Sequence, residues 1–238
     1  MITSPHNEKL KLVRRLHRRR PRERDGLFVS EGEDLLAAAR AAELEPVELL
    51  TAAGEGLGGT EVEPALLDRF SALGSGTRAI GVWPQRWAEK PDAPTTYLHA
   101  VSDPGNVGAI VRSAHALVGG TVVLGPDCAD PYGPHAVRAS MGAVFTQPLM
   151  RGSLKQTPAP RAALVAHGGD VLDALDGAAT LCLGAEREGL PDDVVGVCEV
   201  AVTIPLRPGS ESLNVAATAA IALQRLTSEN EAGGRDGD

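Results

Sequence analysis

The sequence predicts an α/β protein in two parts, a small α/β domain over residues 1–85 and a larger parallel-sheet domain over residues 95–227. Three observations carry this. Short apolar segments alternate with segments of helical period along both halves of the chain. In the second half the strand segments are near-continuous runs such as Thr121 to Leu124, Ala162 to Ala166 and Ala179 to Leu183, the pattern of strands covered on both faces. Between the halves, Pro84 to Pro94 (PQRWAEKPDAP) sets three prolines among charges and reads as a linker, residues 86–94.

Within the first half, Leu10, Val13 and Leu16 recur at three-residue steps between Asn7 and Arg20. That predicts a short amphipathic helix with a cationic outer face, stopped by Pro21. Gly26 to Ser30 reads as a strand, Asp34 to Ala42 as a helix, Val47 to Thr51 as a strand, Pro64 to Ala72 as a helix and Arg78 to Trp83 as a strand. The glycine cluster at 54, 56, 58 and 59 does not have GxGxxG spacing and does not open a helix off a strand, so it reads as a loop and not as a dinucleotide site.

The second half begins with strand Thr95 to Val101 and the turn Ser102 to Asn106. A helix follows with Val107, Ile110, Val111, Ala114 and Leu117 on its apolar side, ended by Gly119-Gly120. Pro134 to Ala139 reads as a short helix, Ser140 to Ala143 leads to an apolar segment ending at Leu149, and Val171 to Leu175 reads as a helix. The strand ending at Leu183 runs into Gly184 and an acidic turn, Glu186 to Gly189. A last strand, Val200 to Ile204, meets Pro205, and a Gly/Ser-rich loop passes through Ser212-Leu213-Asn214 into an Ala-rich helix. The tail from Ser228 is polar and glycine-rich, which predicts disorder over 228–238.

Composition narrows the function classes. No run of 18 apolar residues exists and no apolar signal segment opens the chain, so the expectation is a soluble, cytoplasmic protein with no membrane partner. Cys128, Cys182 and Cys198 have no CxxC spacing and read as small buried hydrophobes, with no metal site. The net charge of −8 is unevenly spread: residues 1–24 hold nine Lys/Arg against Glu8 and Glu23, a net of +7, which leaves −15 for the remainder. A basic arm on an acidic body is the footprint of local phosphate binding, and Arg14, Arg15, Arg18, Arg19, Arg20 and Arg22 are the candidate contacts to nucleic-acid phosphates.

Glycines where strands end, with polar side chains at the mouth of a helix, are how α/β proteins build small-molecule sites. Two loops here have that character, those after Leu183 and Ile204. The turn after Val101 adds Asn106, placed to cap the following helix, and Arg112 about one and a half turns later.

At these residues the chain resembles a known family. DPGNVGAIVRSAHALVGGTVVLG (from Asp103), LGAEREGLP (from Leu183) and IPLRPGSESLNVAATAAIAL (from Ile204) resemble, in order, the three motifs of the SpoU (TrmH-like) RNA 2′-O-methyltransferases of the SPOUT superfamily. VRASMGAVFTQP resembles a further recurrent segment, and FVSEG and RAIGVW resemble the family's N-terminal substrate-binding domain, a small α/β module like certain ribosomal proteins. Ala216 departs from the serine that many relatives carry after SLNV, a change expected to be silent.

The resemblance implies a trefoil knot in the C-terminal sheet, which no periodicity argument would predict. It implies S-adenosylmethionine as cofactor, held mostly by backbone groups of Gly184, Ile204 and Leu213 with Ala185 and Leu206 beside them. It implies a homodimer, with Leu213 to Leu226 across the two-fold axis, and no metal. The catalytic set carried over is Asn106, Arg112, Glu186, Ser212 and Asn214. Glu186 would orient Arg112 or Asn106, and Ser212 and Asn214 would cap the last helix. A guanidinium resists deprotonation in proteins, so Arg112 is read as a phosphate clamp that stabilises the developing alkoxide and not as a general base.

The reaction implied is transfer of a methyl group to a ribose 2′-OH, a group that only RNA presents. Ribosomal RNA of the large subunit is the favoured substrate, because the N-terminal domain is substantial. A tRNA ribose methyltransferase and a catalytically silent RNA-binding relative are the alternatives.

Overall fold

The computed structural model describes residues 1–74, 76–209 and 212–233, with side chains through residue 227. The chain forms two compact units. One comprises Met1–Arg86 together with Asp130–Thr146, the other Trp87–Ala129 with Gln147–Asp238. This differs from the expected division at 130–146, a segment of the second half that folds with the first.

In the smaller unit, helix α1 (Glu8–Leu16) turns its three apolar residues inward, and Leu10, Val13 and Leu16 are fully buried. Pro21 does not stop a single helix. The chain breaks at Arg18, which is extended, and Pro21 is the third residue of a second helix, α2 (Arg19–Asp25). First-turn positions have no intrahelical acceptor for their N–H groups, so proline costs nothing there.

Strand β1 (Leu27–Glu31), helix α3 (Glu33–Ala41), strands β2 (Glu48–Ala52) and β3 (Thr60–Val62), helix α4 (Pro64–Asp68) and strand β4 (Ala79–Pro84) follow. The sheet order is β1-β4-β2-β3, with β4 antiparallel to both neighbours and β3 parallel to β2. Strand β3, unforeseen after its glycine-rich loop, completes the sheet's edge.

Successive residues of β1 face opposite sides of the sheet. Val29 joins Leu10, Val13, Leu50, Val62 and Ile80 in one core. Phe28 packs against Tyr132 and Phe145 of the returning segment, with ring centroids 4.7 and 5.9 Å away, and Trp83 meets Phe145 edge-on at 5.1 Å. Four of the chain's seven Phe, Trp and Tyr residues thus gather around 130–146. Buried Arg22 fixes the same segment, donating from Nε and a terminal nitrogen to Asp130 Oδ2 at 3.0 and 2.7 Å and to the Leu16 carbonyl at 2.8 Å.

The larger unit is built on six strands, all parallel. These are β5 (Thr95–Leu98), β6 (Thr121–Leu124), β7 (Leu149–Arg151), β8 (Arg161–Leu164), β9 (Thr180–Leu183) and β10 (Val200–Val202). Their order is β10-β8-β9-β5-β6-β7. Helix α5 (Pro104–Leu117) follows β5, α6 (Pro134–Ser140) lies in the segment that joins the smaller unit, α7 (Asp192–Val195) precedes β10, and α8 (Val215–Gly233) closes the chain and packs along α5. Helix continues through 228–233, part of the tail expected to be disordered; residues 234–238 lie outside the described residues. Residues 171–175, expected as an α-helix, form a 3-10 turn at Leu172–Leu175.

The strand order decides where chemistry collects. Strands β5 and β9 are neighbours in register, Leu98 against Leu183, with β8 on the far side of β9. All three run the same way, so the loops after them emerge at one edge of the sheet, where open α/β folds place their ligands. Among the described residues no helix is long and apolar enough to cross a membrane.

Candidate functional site

The loop after β9 is a closed turn. Ala185 N–H donates to the Gly189 carbonyl at 3.1 Å, and Gly189 N–H returns a bond to the Ala185 carbonyl at 3.0 Å. Two glycines make this possible. Gly189 adopts φ +70°, a left-handed value that side chains disfavour. At position 184 a β-carbon would lie 2.2 Å from the Gly189 carbonyl carbon and 2.3 Å from Leu190 N, so only hydrogen fits. The turn lifts Glu186 clear of the sheet's edge, where it is exposed.

Glu186 meets the start of α5. Asp103 caps that helix by accepting from Asn106 N–H at 2.8 Å, so the expected cap, Asn106, lies within the first turn and keeps its side chain free. Asn106 Nδ2 donates to Glu186 Oε1 at 2.9 Å, and Asn106 Oδ1 accepts from Asn214 Nδ2, also at 2.9 Å. Asn214 is the N-cap of α8, its Oδ1 accepting from Ala216 N–H at 2.9 Å. A directed chain of hydrogen bonds therefore runs from the α8 terminus through two amides to a carboxylate, and each bond fixes the orientation of the next amide. Three loops that are remote in sequence are tied together by it. The backbone N–H of Ala216 serves the cap, and that bond is independent of the side chain in which Ala216 departs from the family pattern.

Beside this chain lies a pocket enclosing about 620 Å³ of empty space, its open mouth included. All five positions expected to hold the cofactor line it: Gly184, Ala185, Ile204, Leu206 and Leu213. Leu164, Val165 and Ala166 at the end of β8 and Thr218 on α8 complete the wall, and no sequence motif marked them. Glu186 is the single ionisable side chain among the described lining residues, and the rest of the wall is largely aliphatic with exposed backbone groups. Ser212 lines the pocket but takes no part in the α8 cap, contrary to expectation.

Two expected site residues are elsewhere. Arg112 is exposed on α5, does not line the pocket, and has no hydrogen-bond or ion-pair partner among the described residues, so Glu186 orients Asn106 and not Arg112. Arg22, expected among the RNA contacts, is 4% exposed and held in an ion pair with Asp130, so it cannot reach a phosphate. Of the remaining basic residues there, Arg14 lies over Phe70 at 4.4 Å, Arg15 pairs with Asp25, Arg19 pairs with Glu23, and Arg18 and Arg20 are exposed without a partner among the described residues. The three cysteines are free, with Cys182 and Cys198 sulfurs 3.8 Å apart, and no metal-binding cluster is present among the described residues.

A sequence profile of the SpoU rRNA Methylase family matches residues 95–224, more than half of the chain and the whole of this site. The chain belongs to the SpoU rRNA methylase family. A second profile, the MRM3-like substrate binding domain, matches residues 7–73 in the smaller unit.

Among SpoU relatives, the 23S rRNA (guanosine(2553)-2′-O)-methyltransferase RlmP of Bacillus subtilis is 30% identical over 94% of this chain and 98% of its own length. An uncharacterized tRNA/rRNA methyltransferase of Mycobacterium tuberculosis is 35% identical over 55% of this chain; the chain spans about half (50%) of that relative's length. The AdoMet-bound rRNA methyltransferase of Sinorhizobium meliloti superposes with a TM-score of 0.83 at 25% identity, covering 96% of this chain and 97% of that one. The SPOUT-type α/β fold and the substrate-binding domain ahead of it are those of the SpoU family.

Proposed function

We propose that this protein is an S-adenosylmethionine-dependent methyltransferase acting on a ribose 2′-OH of large-subunit ribosomal RNA. The observation that carries the reading is the coincidence of an aliphatic, backbone-lined pocket with the Glu186–Asn106–Asn214 chain beside it. A mostly apolar wall with a few polar groups is the usual lining of a small-molecule site. Bound there, S-adenosylmethionine would supply an electrophilic methyl group on a cationic sulfur.

The residues of the chain do the rest. Gly184, Ala185, Ile204, Leu206 and Leu213 offer backbone groups and apolar walls that would hold such a ligand away from water. The Glu186 carboxylate supplies the charge that complements a cationic ligand, while keeping Asn106 pointed along the sheet's edge. Alignment of the hydroxyl with the methyl group is the main task, and alignment can contribute up to ~7–11 kcal/mol of a barrier. Ser212, which lines the pocket, would shape its ribose end, and Asn214 holds Asn106 in place beside it. Arg14, Arg15, Arg18, Arg19 and Arg20 attract RNA phosphates to a body that is otherwise acidic.

Arg112 belongs to a second protomer's site in this reading. Six residues along α5 turn its side chain about 240° from that of Asn106, so one helix does not aim both at one pocket. Leu213 and Ile221 are 42% and 40% exposed at the start and on the outer face of α8, apolar surface that a homodimer would cover. The family's trefoil knot is part of the same reading.

The test is incubation with radiolabelled S-adenosylmethionine and total RNA from a strain lacking the gene, beside an Arg112→Ala variant. Alkali-resistant label at one site in large-subunit rRNA, lost in the variant, is the expected result. Label confined to tRNA would replace the substrate, and cofactor binding without label in any RNA would leave a binding protein.

A further inference from the structure

Six arginines of the larger unit lie among the described residues: Arg112, Arg151, Arg161, Arg187, Arg207 and Arg225. Three are held by neighbours. Arg151 stacks over Trp87 at 4.8 Å, Arg161 donates to the Thr157 carbonyl at 2.7 Å and lies 4.0 Å from Glu199, and Arg225 bridges Asp173 and Asp176 at 3.2 and 2.5 Å. Arg112, Arg187 and Arg207 are exposed and have no hydrogen-bond or ion-pair partner among the described residues. Beyond residue 24 the chain has a net charge of −15, so carboxylates are plentiful, and these three arginines pair with none of those described.

Two of the three are neighbours in sequence of residues that line the pocket. Arg187 stands between the lining residues Glu186 and Gly189, and Arg207 directly follows the lining residue Leu206. They come from different loops, one after β9 and one after β10, whose strands are separated by β8 alone. Two strand spacings put the ends of the strands that carry these loops about 10 Å apart. An RNA strand entering this edge would meet Glu186 and Glu188, and without compensating charge it would be repelled. Guanidinium groups are suited to phosphate oxygens by their planar fork of donors.

We propose that Arg187 and Arg207 are a phosphate clamp that grips the RNA backbone on either side of the target nucleotide. The clamp rests on the methyltransferase reading above and adds to it contacts outside the basic N-terminal arm. It is independent of sequence and of the cofactor, acting on affinity and register alone.

The test uses the full-length protein and a fluorescein-labelled 30-nucleotide stem–loop RNA, with binding followed from 0.05 to 0.3 M KCl and S-adenosylmethionine binding measured separately by calorimetry. Arg187→Gln and Arg207→Gln should each weaken RNA binding by about 3- to 10-fold, and each should lower the slope of log K against log[KCl] by about 0.7–0.9. Arg187→Lys and Arg207→Lys should keep most of the slope, because charge drives counterion release. Cofactor affinity should be unchanged in all four. An unchanged slope in the double Gln variant would overturn the clamp, as would a loss confined to cofactor affinity, which would make the arginines ligands of the cofactor carboxylate. A wild-type protein that binds cofactor but no RNA at any salt would overturn the methyltransferase reading itself, and the clamp with it.

Discussion

Asn106 and Glu186, eighty positions apart, are joined at 2.9 Å by a bond whose donor is an amide nitrogen. That assignment leaves Asn106 Oδ1 to accept from Asn214, so the pair sets the direction of the whole chain of bonds. Glu186→Gln keeps an acceptor oxygen and should retain much of the activity. Glu186→Ala removes the acceptor and should lower single-turnover methyl transfer by about 100-fold, ~2.7 kcal/mol of transition-state stabilisation. Asn106→Asp sets two carboxylates together and should do at least as much harm as Asn106→Ala. Equal rates for Glu186→Ala and wild type would remove the pair from the chemistry.

If Arg112 serves the partner protomer's pocket, two inactive proteins should rescue each other. Arg112→Ala and Asn106→Ala, each inactive alone, should give mixed dimers with one intact site after co-refolding. About a quarter of wild-type activity is expected at equal mixing, since half of the dimers are mixed and each carries one working site of two. No recovery, with mixed dimers shown by mass spectrometry, would place Arg112 and Asn106 in one protomer's site.

Gly184→Ala should be among the most damaging single-atom additions in the chain. Its β-carbon has backbone on the far side, at 2.2 and 2.3 Å, and no flexible side chain that can yield. Overpacking of this kind costs about 1–3 kcal/mol or more. Calorimetric melting together with cofactor titration should show a lowered Tm and weakened binding. Gly177→Ala, with no atom within 4 Å but φ +76°, separates backbone strain from collision and should cost only the former.

Arg22 and its neighbours look alike in sequence and should behave differently. Arg22→Ala leaves Asp130 buried without its partner and should cost about 3–5 kcal/mol in urea unfolding. Arg18→Ala and Arg20→Ala should leave the unfolding free energy within about 0.5 kcal/mol and weaken RNA binding instead.

Stability should also fall on mild acidification through His17. Burial pushes its imidazole below the ordinary histidine value, opposed by the nearby Glu31 carboxylate and reinforced by Arg22 and Arg14. With the folded value depressed, the unfolded chain takes up the proton first as pH drops below about 6.5, so stability is lost from there down to the folded pKa. His17→Gln should flatten the dependence of unfolding free energy on pH between 7 and 5. An unaltered slope would assign the acid sensitivity to other groups.

Much of this was legible in the residues. Leu10, Val13 and Leu16 announced a helix face because burial demands apolar side chains at helical spacing. The strands of the larger unit were legible because both faces are covered. The pocket's five expected positions were legible through motif resemblance, and glycine at 184 is required by local backbone contact. Other features had no local signal. Pro21 is compatible with ending one helix or opening the next, and the break at Arg18 decides between them. Asp103 and Asn106 are both capable caps, and only the reach of Glu186 across the sheet's edge shows which side chain is released for other work.

By itself the sequence determined most of the elements, the order of the two units along the chain, the uneven charge and half of the residues that line the pocket. All of these follow from composition, periodicity and motif. Tertiary structure alone decided that 130–146 joins the smaller unit, that Arg22 is a buried tie and not an RNA contact, and that Arg112 stands apart from the pocket. It also decided that Arg187 and Arg207, neighbours in sequence of residues that line it, have no ion-pair partner among the described residues. Such facts depend on which groups meet across long stretches of chain. Burial and pairing, which determine whether a charge is structural or available, exist only once the strands have found their order.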